Sequence, residues 1–123
     1  MAHHSAGMSA HGSGTMAHGV TAALECHRIC EETINYCLQQ GGRHAEASHI
    51  RLLTDCADIC RMAADFMARS SEFHPAICGL CADVCRQCAA ACEAFGDDEQ
   101  MQRCAQACRE CEQSCQQMAA MHA

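Results

Sequence analysis

Fourteen cysteines run through this chain, and within each stretch they recur at spacings of three, four or seven residues. At about 100° per residue, those spacings return a side chain to the same side of an α-helix. Cys78, Cys81, Cys85, Cys88 and Cys92 fall in an arc of roughly 80°, and Cys104, Cys108, Cys111 and Cys115 in roughly 60°. Cys26, Cys30 and Cys37 share an arc of about 40°, as do Cys56 and Cys60. A strand repeats every two residues and cannot place this pattern on one face. With three Phe, one Tyr and no Trp, the chain also lacks the aromatic residues that favour strands.

The punctuation between these stretches divides the chain. Residues 1–18, rich in Gly, Ser, His and Met, read as a flexible arm whose His3, His4, His11, His18, Met8 and Met16 would hold a soft metal ion only weakly. Helices are expected over about 20–40, 44–69, 75–95 and 98–120, within one domain spanning 19–121. Gly41 and Gly42 end the first, and Ser70, Ser71 and His74-Pro75 separate the second from the third, with Pro75 in a first turn. Gly96 stops the third, and Asp97 is expected to cap the fourth, with Asp98 and Glu99 at its positive end. Short connections between four such helices give an all-α fold, an antiparallel up-down-up-down four-helix bundle with a cysteine-lined core.

Charge and hydropathy exclude several classes. Eight basic residues, all Arg, stand against 15 acidic ones, for a net charge of -7. A nucleic-acid partner requires the opposite balance. No apolar run approaches the roughly 20 residues of a membrane span, so membrane insertion is not expected. No secretory signal opens the sequence, which favours a cytoplasmic protein over an exported mature form. No triad, metalloprotease or phosphate-loop motif is present, so an enzyme is not expected.

A core face usually filled by Leu, Ile and Val is here assigned to sulfur. One or two buried thiols behave as small hydrophobes, but a register of fourteen calls for chemistry. Disulfides normally staple irregular loops, whereas these cysteines lie inside helices. Structural zinc takes four ligands from paired cysteines, and the chain has many Cys-x₂-Cys and Cys-x₃-Cys pairs, but they overlap instead of forming separate sets. Iron–sulfur clusters suit loop ligands better than a narrow column. Cuprous copper is soft and prefers thiolate. Each Cu(I) replaces one thiol proton, so filling the column with multiple ions adds almost no buried charge. A redox or metal sensor would use the same thiols for one or a few ions.

The stripes Cys26-x₃-Cys30 with Cys37, Cys56-x₃-Cys60, CGLCADVCRQCAAAC from Cys78 to Cys92 and CAQACRECEQSC from Cys104 to Cys115 resemble the bacterial copper storage proteins over residues 20–120. The resemblance implies that all fourteen cysteines are Cu(I) ligands and that copper is admitted at one end of the bundle. It further implies a homo-oligomer, usually a tetramer, served by copper donor or acceptor proteins. The first and third connections share an end and gather Cys37, Gly41, Gly42, His44, His49, Cys92, Phe95 and Met101. His49 lies seven residues before Cys56, and Met101 three before Cys104. His49, Met101 and His44 are therefore the candidate transient ligands at an entrance expected to be loosely packed. Met67 and Met118 continue their stripes at the other end, where a plug is expected. His27 and Met62 point away from the stripe.

Overall fold

The structure, a computed structural model, describes residues 3–121, with side chains from Gly14 onward. It comprises α1 (His3–Gln40), a 3₁₀ turn (Gly42–Ala45), α2 (Ala47–Ala68), α3 (His74–Glu93) and α4 (Glu99–Ala120). α1 packs against α2 and α4, and α3 against the same two helices, which closes the four into an antiparallel ring. No described helix is long and apolar enough to cross a membrane.

Three boundaries differ from the sequence reading. The first helix does not begin near Val20 but is already formed at His3, through the stretch read as an arm. Gly19 is buried there, and a Cβ on it would lie 2.8 Å from Met67 Sδ. A helix anchored by such packing extends at the cost of one residue per added hydrogen bond, without a new nucleus. The side chains of His3, His4, Met8, His11 and His122 lie outside the described residues. The second helix starts at Ala47, after a 3₁₀ turn that follows Gly41 (φ 72°) and opens with Gly42 (φ 55°). The fourth is capped by Asp98 and not by Asp97, because the Asp98 carboxylate accepts from the Met101 backbone N–H at 3.2 Å.

The bundle interior is thin. Its buried surface is made of all fourteen cysteines and of alanines such as Ala57, Ala63, Ala64 and Ala89. Small side chains let the helices approach until sulfur meets sulfur. Among the aliphatic residues, Ile29 and Leu53 are buried, whereas Leu24, Leu38 and Leu80 are exposed. Outside, Arg103–Glu32 ties α4 to α1 and Arg109–Glu93 ties α4 to α3. Such exposed pairs contribute roughly 0–1 kcal/mol each, so the fold rests on its interior.

Candidate metal centre

All fourteen cysteines are buried free thiols. Their sulfurs form a continuous path along the bundle axis. Cys115 is 3.8 Å from Cys111, which is 3.8 Å from Cys60. Cys60 is 3.6 Å from Cys85, Cys85 is 3.8 Å from Cys56, and Cys56 is 3.9 Å from Cys108. Cys108 then reaches Cys30 at 4.0 Å, and Cys30 reaches Cys104 at 3.9 Å. A disulfide requires about 2.05 Å, so these thiols touch without being bonded. Metal–thiolate bonds of about 2.3 Å, opened to a trigonal angle, separate two sulfurs by about 4.0 Å.

The described residues hold four groups of four sulfurs, each group within 4.8 Å. They are Cys26/Cys30/Cys56/Cys108, Cys26/Cys56/Cys60/Cys85, Cys30/Cys88/Cys104/Cys108 and Cys60/Cys81/Cys85/Cys111. Cys26, Cys30, Cys56, Cys60, Cys85 and Cys108 each belong to two groups. The overlap anticipated from the sequence is therefore real in space. Closed four-ligand zinc sites along such a column would leave thiolate charge in excess of the metal's, in a buried place where excess charge is costly. Multiple monovalent ions avoid that excess.

The shared sulfurs do not shift together: hydrogen bonds from neighbouring thiols lower Cys56, Cys104 and Cys111, whereas other thiols are raised. Burial pushes Cys37 up to about 11. Hydrogen bonding to Cys104 and other neighbouring sulfurs, with burial added, drives Cys108 well above the ordinary thiol range. An ion bound at a raised thiol must displace its proton, which is a cost thiolate–metal bonding can meet.

Cys37, Cys92, Cys78 and Cys115 lie outside the four groups and toward the bundle's two ends. At the end formed by the first and third connections, Cys37 Sγ lies 3.6 Å from Met101 Sδ and 3.7 Å from His49 Nε2. Met101 is fully buried and His49 nearly so. Desolvation holds His49 below its ordinary value, which favours the neutral ring that binds metal. His44 is placed differently. Its Nε2 meets Asp98 Oδ2 at 2.9 Å, and the same oxygen accepts from Tyr36 Oη at 2.9 Å. The structure thus brings His49 and Met101 to Cys37 and holds His44 on a carboxylate beside them.

This end is also better filled than its glycines suggested. The Phe95 ring lies 4.4 Å from that of His44 and 5.1 Å from that of His49, with the Arg43 guanidinium 4.1 Å from its centroid. Gly41, Gly42 and Gly96 have nothing within 4 Å of a built Cβ, so they serve positive-φ turns and do not loosen the interior.

At the other end Met67 and Met118 are fully buried, continuing their stripes as expected. Outside them, Met16, Val20, Met67 and Met121 help line a concavity of about 470 Å3. His27 is off the column, its Nδ1 2.8 Å from the Ala57 carbonyl, and Met62 is exposed. Sequence reasoning passed over His74, treating it as punctuation before Pro75. Its position four residues ahead of Cys78 was the available signal, since that spacing sets it on the sulfur face.

Comparison with known proteins agrees with this geometry. Residues 13–120 match the family described as Csp, copper storage protein. The protein Nmul_A1745 from Nitrosospira multiformis is 39% identical, with a TM-score of 0.82 over 88% of this chain and 97% of that one. The Cu(I)-bound copper storage protein BsCsp3 is 36% identical, with a TM-score of 0.79 over 86% of this chain and 99% of that one. A cytosolic copper storage protein from Streptomyces lividans, in a structure of its copper loading with five coppers, is 30% identical. Its TM-score is 0.76 over 89% of this chain and 96% of that one. With its cysteine-lined four-helix bundle and a family match over most of its length, the chain belongs to the copper storage protein family.

Proposed function

We propose that this chain stores Cu(I) at high capacity, with all fourteen cysteines as ligands and about one ion per cysteine. The observation that carries this reading is the overlap of the four-sulfur groups, in which six cysteines serve twice. A sensor needs one defined site. A column of shared sulfurs has no boundary at which loading would stop, and its uptake scales with its length. Storage rather than catalysis is the function, in keeping with the family.

His49 and Met101 are read as transient ligands that pass copper to Cys37. His44 is read as a supporting ligand that must first leave Asp98. The protein is assigned to the cytoplasm, by analogy with the Streptomyces lividans relative described as cytosolic, and would exchange copper with donor or acceptor proteins there. Family resemblance favours a tetramer. Exposed Leu24, Leu38, Leu80 and Phe73 offer apolar area for contacts between copies.

Anaerobic titration of the reduced protein with Cu(I), against a chromophoric chelator, tests the central claim. Uptake near 14 ions per chain, one for each cysteine, is expected. Saturation at about one to four ions would replace storage by a sensor or a zinc-type site. Size-exclusion chromatography with light scattering tests the tetramer.

A further inference from the structure

The turn from α2 into α3 is built around a histidine that packing alone does not explain. α2 ends with Ser70 in the left-handed region at φ 53°, a position glycine would occupy without strain. Ser70 N–H donates to the Met67 carbonyl at 3.0 Å and Ser71 N–H to the Phe66 carbonyl at 2.9 Å, a complete helix stop. The Ser71 carbonyl then receives two bonds from His74, one from its backbone N–H at 3.0 Å and one from ring Nδ1 at 2.9 Å.

A carbonyl only accepts, so Nδ1 carries the ring hydrogen. Nε2 is buried and has no hydrogen-bond partner. A hydrogen there would be a sealed donor with no acceptor, so Nε2 presents a lone pair. A backbone carbonyl on one ring nitrogen and a free lone pair on the other is how proteins orient metal-binding histidines.

His74 stands in the right place for that role. It lies four residues before Cys78, on the face that carries the α3 sulfurs. It shares its end of the bundle with fully buried Met67 and Met118, whose side chains meet at Gly19. Next along the axis come Cys78 and Cys115, both fully buried. Gly79 and Ala119 pack closely enough there to bring α3 and α4 together, a Cβ on Gly79 lying 3.7 Å from that of Ala119. The concavity lined by Met16, Val20 and Met121 leads from solvent to Met67.

We propose that His74 Nε2, with the thioethers of Met67 and Met118, forms a second docking site for Cu(I), making the end expected to be a plug a second port to the sulfur column. The inference rests on the storage reading above. Neutral imidazole and thioether ligands take up a soft monovalent ion without releasing a proton and hold it less strongly than thiolate. An ion bound there moves on to Cys78 or Cys115. This end thus repeats the combination of Cys37, His49 and Met101 in different residues.

The test uses the full-length reduced chain under anaerobic conditions, with Cu(I) supplied from a weak chelator. In ¹⁵N-histidine-labelled wild type, the His74 Nε2 resonance should move upfield within the first equivalents. By stopped flow, the His49→Ala/Met101→Leu protein should still load, and adding His74→Gln should slow it about tenfold further. If wild type fills its thiols while the His74 resonance stays fixed and the added substitution leaves the rate unchanged, the second port is overturned and storage stands. If wild type itself saturates at a few ions, storage fails and the port fails with it. The spectroscopic arm needs no variant, so a folding defect in His74→Gln cannot obscure the answer.

Discussion

Cys37 Sγ and His49 Nε2 face each other 3.7 Å apart across the end of the sulfur column, with Met101 Sδ 3.6 Å from the same thiol. A neutral imidazole, a thioether and a thiol meet at one point, so an ion held by the first two reaches thiolate in a single step. His49→Ala/Met101→Leu is expected to slow copper loading about tenfold. The cysteines are all retained, so the loss should appear in the stopped-flow rate and not as a halved plateau. A halved plateau would mean that His49 and Met101 organise the column and do more than feed it.

Asp98 ties that end together by accepting from His44, Tyr36 and the Met101 backbone. Partial burial works to raise its carboxyl, but these hydrogen bonds outweigh it and hold the group below its ordinary value. A depressed carboxylate contributes stability above the unfolded value of about 3.9, and that contribution is lost as pH falls through the folded one. Asp98→Asn should therefore cost about 1 kcal/mol at pH 6, and the gap to wild type should be narrower at about pH 3. Urea denaturation of the apo-protein at the two pH values measures it. A gap that persists undiminished at low pH would assign the loss to the amide's poorer fit.

Filling the column exchanges protons for copper. Cys37 is pushed up to about 11 by burial, so near neutrality it enters the reaction as a thiol. Uptake should release about one proton per Cu(I), and apparent affinity should fall about tenfold per ion for each pH unit lowered. Calorimetry in buffers of different ionisation enthalpy counts the protons directly. Release of far fewer would show thiolates already present in the apo-protein.

Much of the design was legible in advance because a cysteine spacing of three and four residues has one structural meaning. Four stripes could only be brought together by a bundle, and the ends of that bundle followed from its short connections. Local competition was harder to read. Asp97 and Asp98 are equal as capping residues, and the choice fell on Asp98 because it also receives His44 and Tyr36. Likewise His74 beside Pro75 reads as a turn until its ring nitrogens are accounted for individually. The start of α1 was missed because glycine-rich sequence carries no periodicity, and its helix is supported by Met67 and Met118 packing at Gly19.

The thiol core also bears on folding without metal. Protonated cysteine is apolar enough to be buried, and Leu53, Met67, Met101 and Met118 add larger buried side chains along α2 and α4. Reduced apo-protein should keep its helical circular dichroism, and copper should raise its melting temperature by binding the native state alone. A coil-like apo spectrum would place this chain with domains whose folding is driven by metal.

Because Cys26, Cys30, Cys56, Cys60, Cys85 and Cys108 are each held in common by two groups, no ion owns its ligands. In a nearly empty molecule an ion draws on as many sulfurs as surround it. As occupancy approaches one ion per cysteine, every sulfur is divided between neighbours, and the average falls toward about two per ion. The grip on copper is then graded by fullness. A full molecule surrenders its ions most readily and a depleted one least, so a population sharing scarce copper keeps a residue in each member instead of emptying some completely.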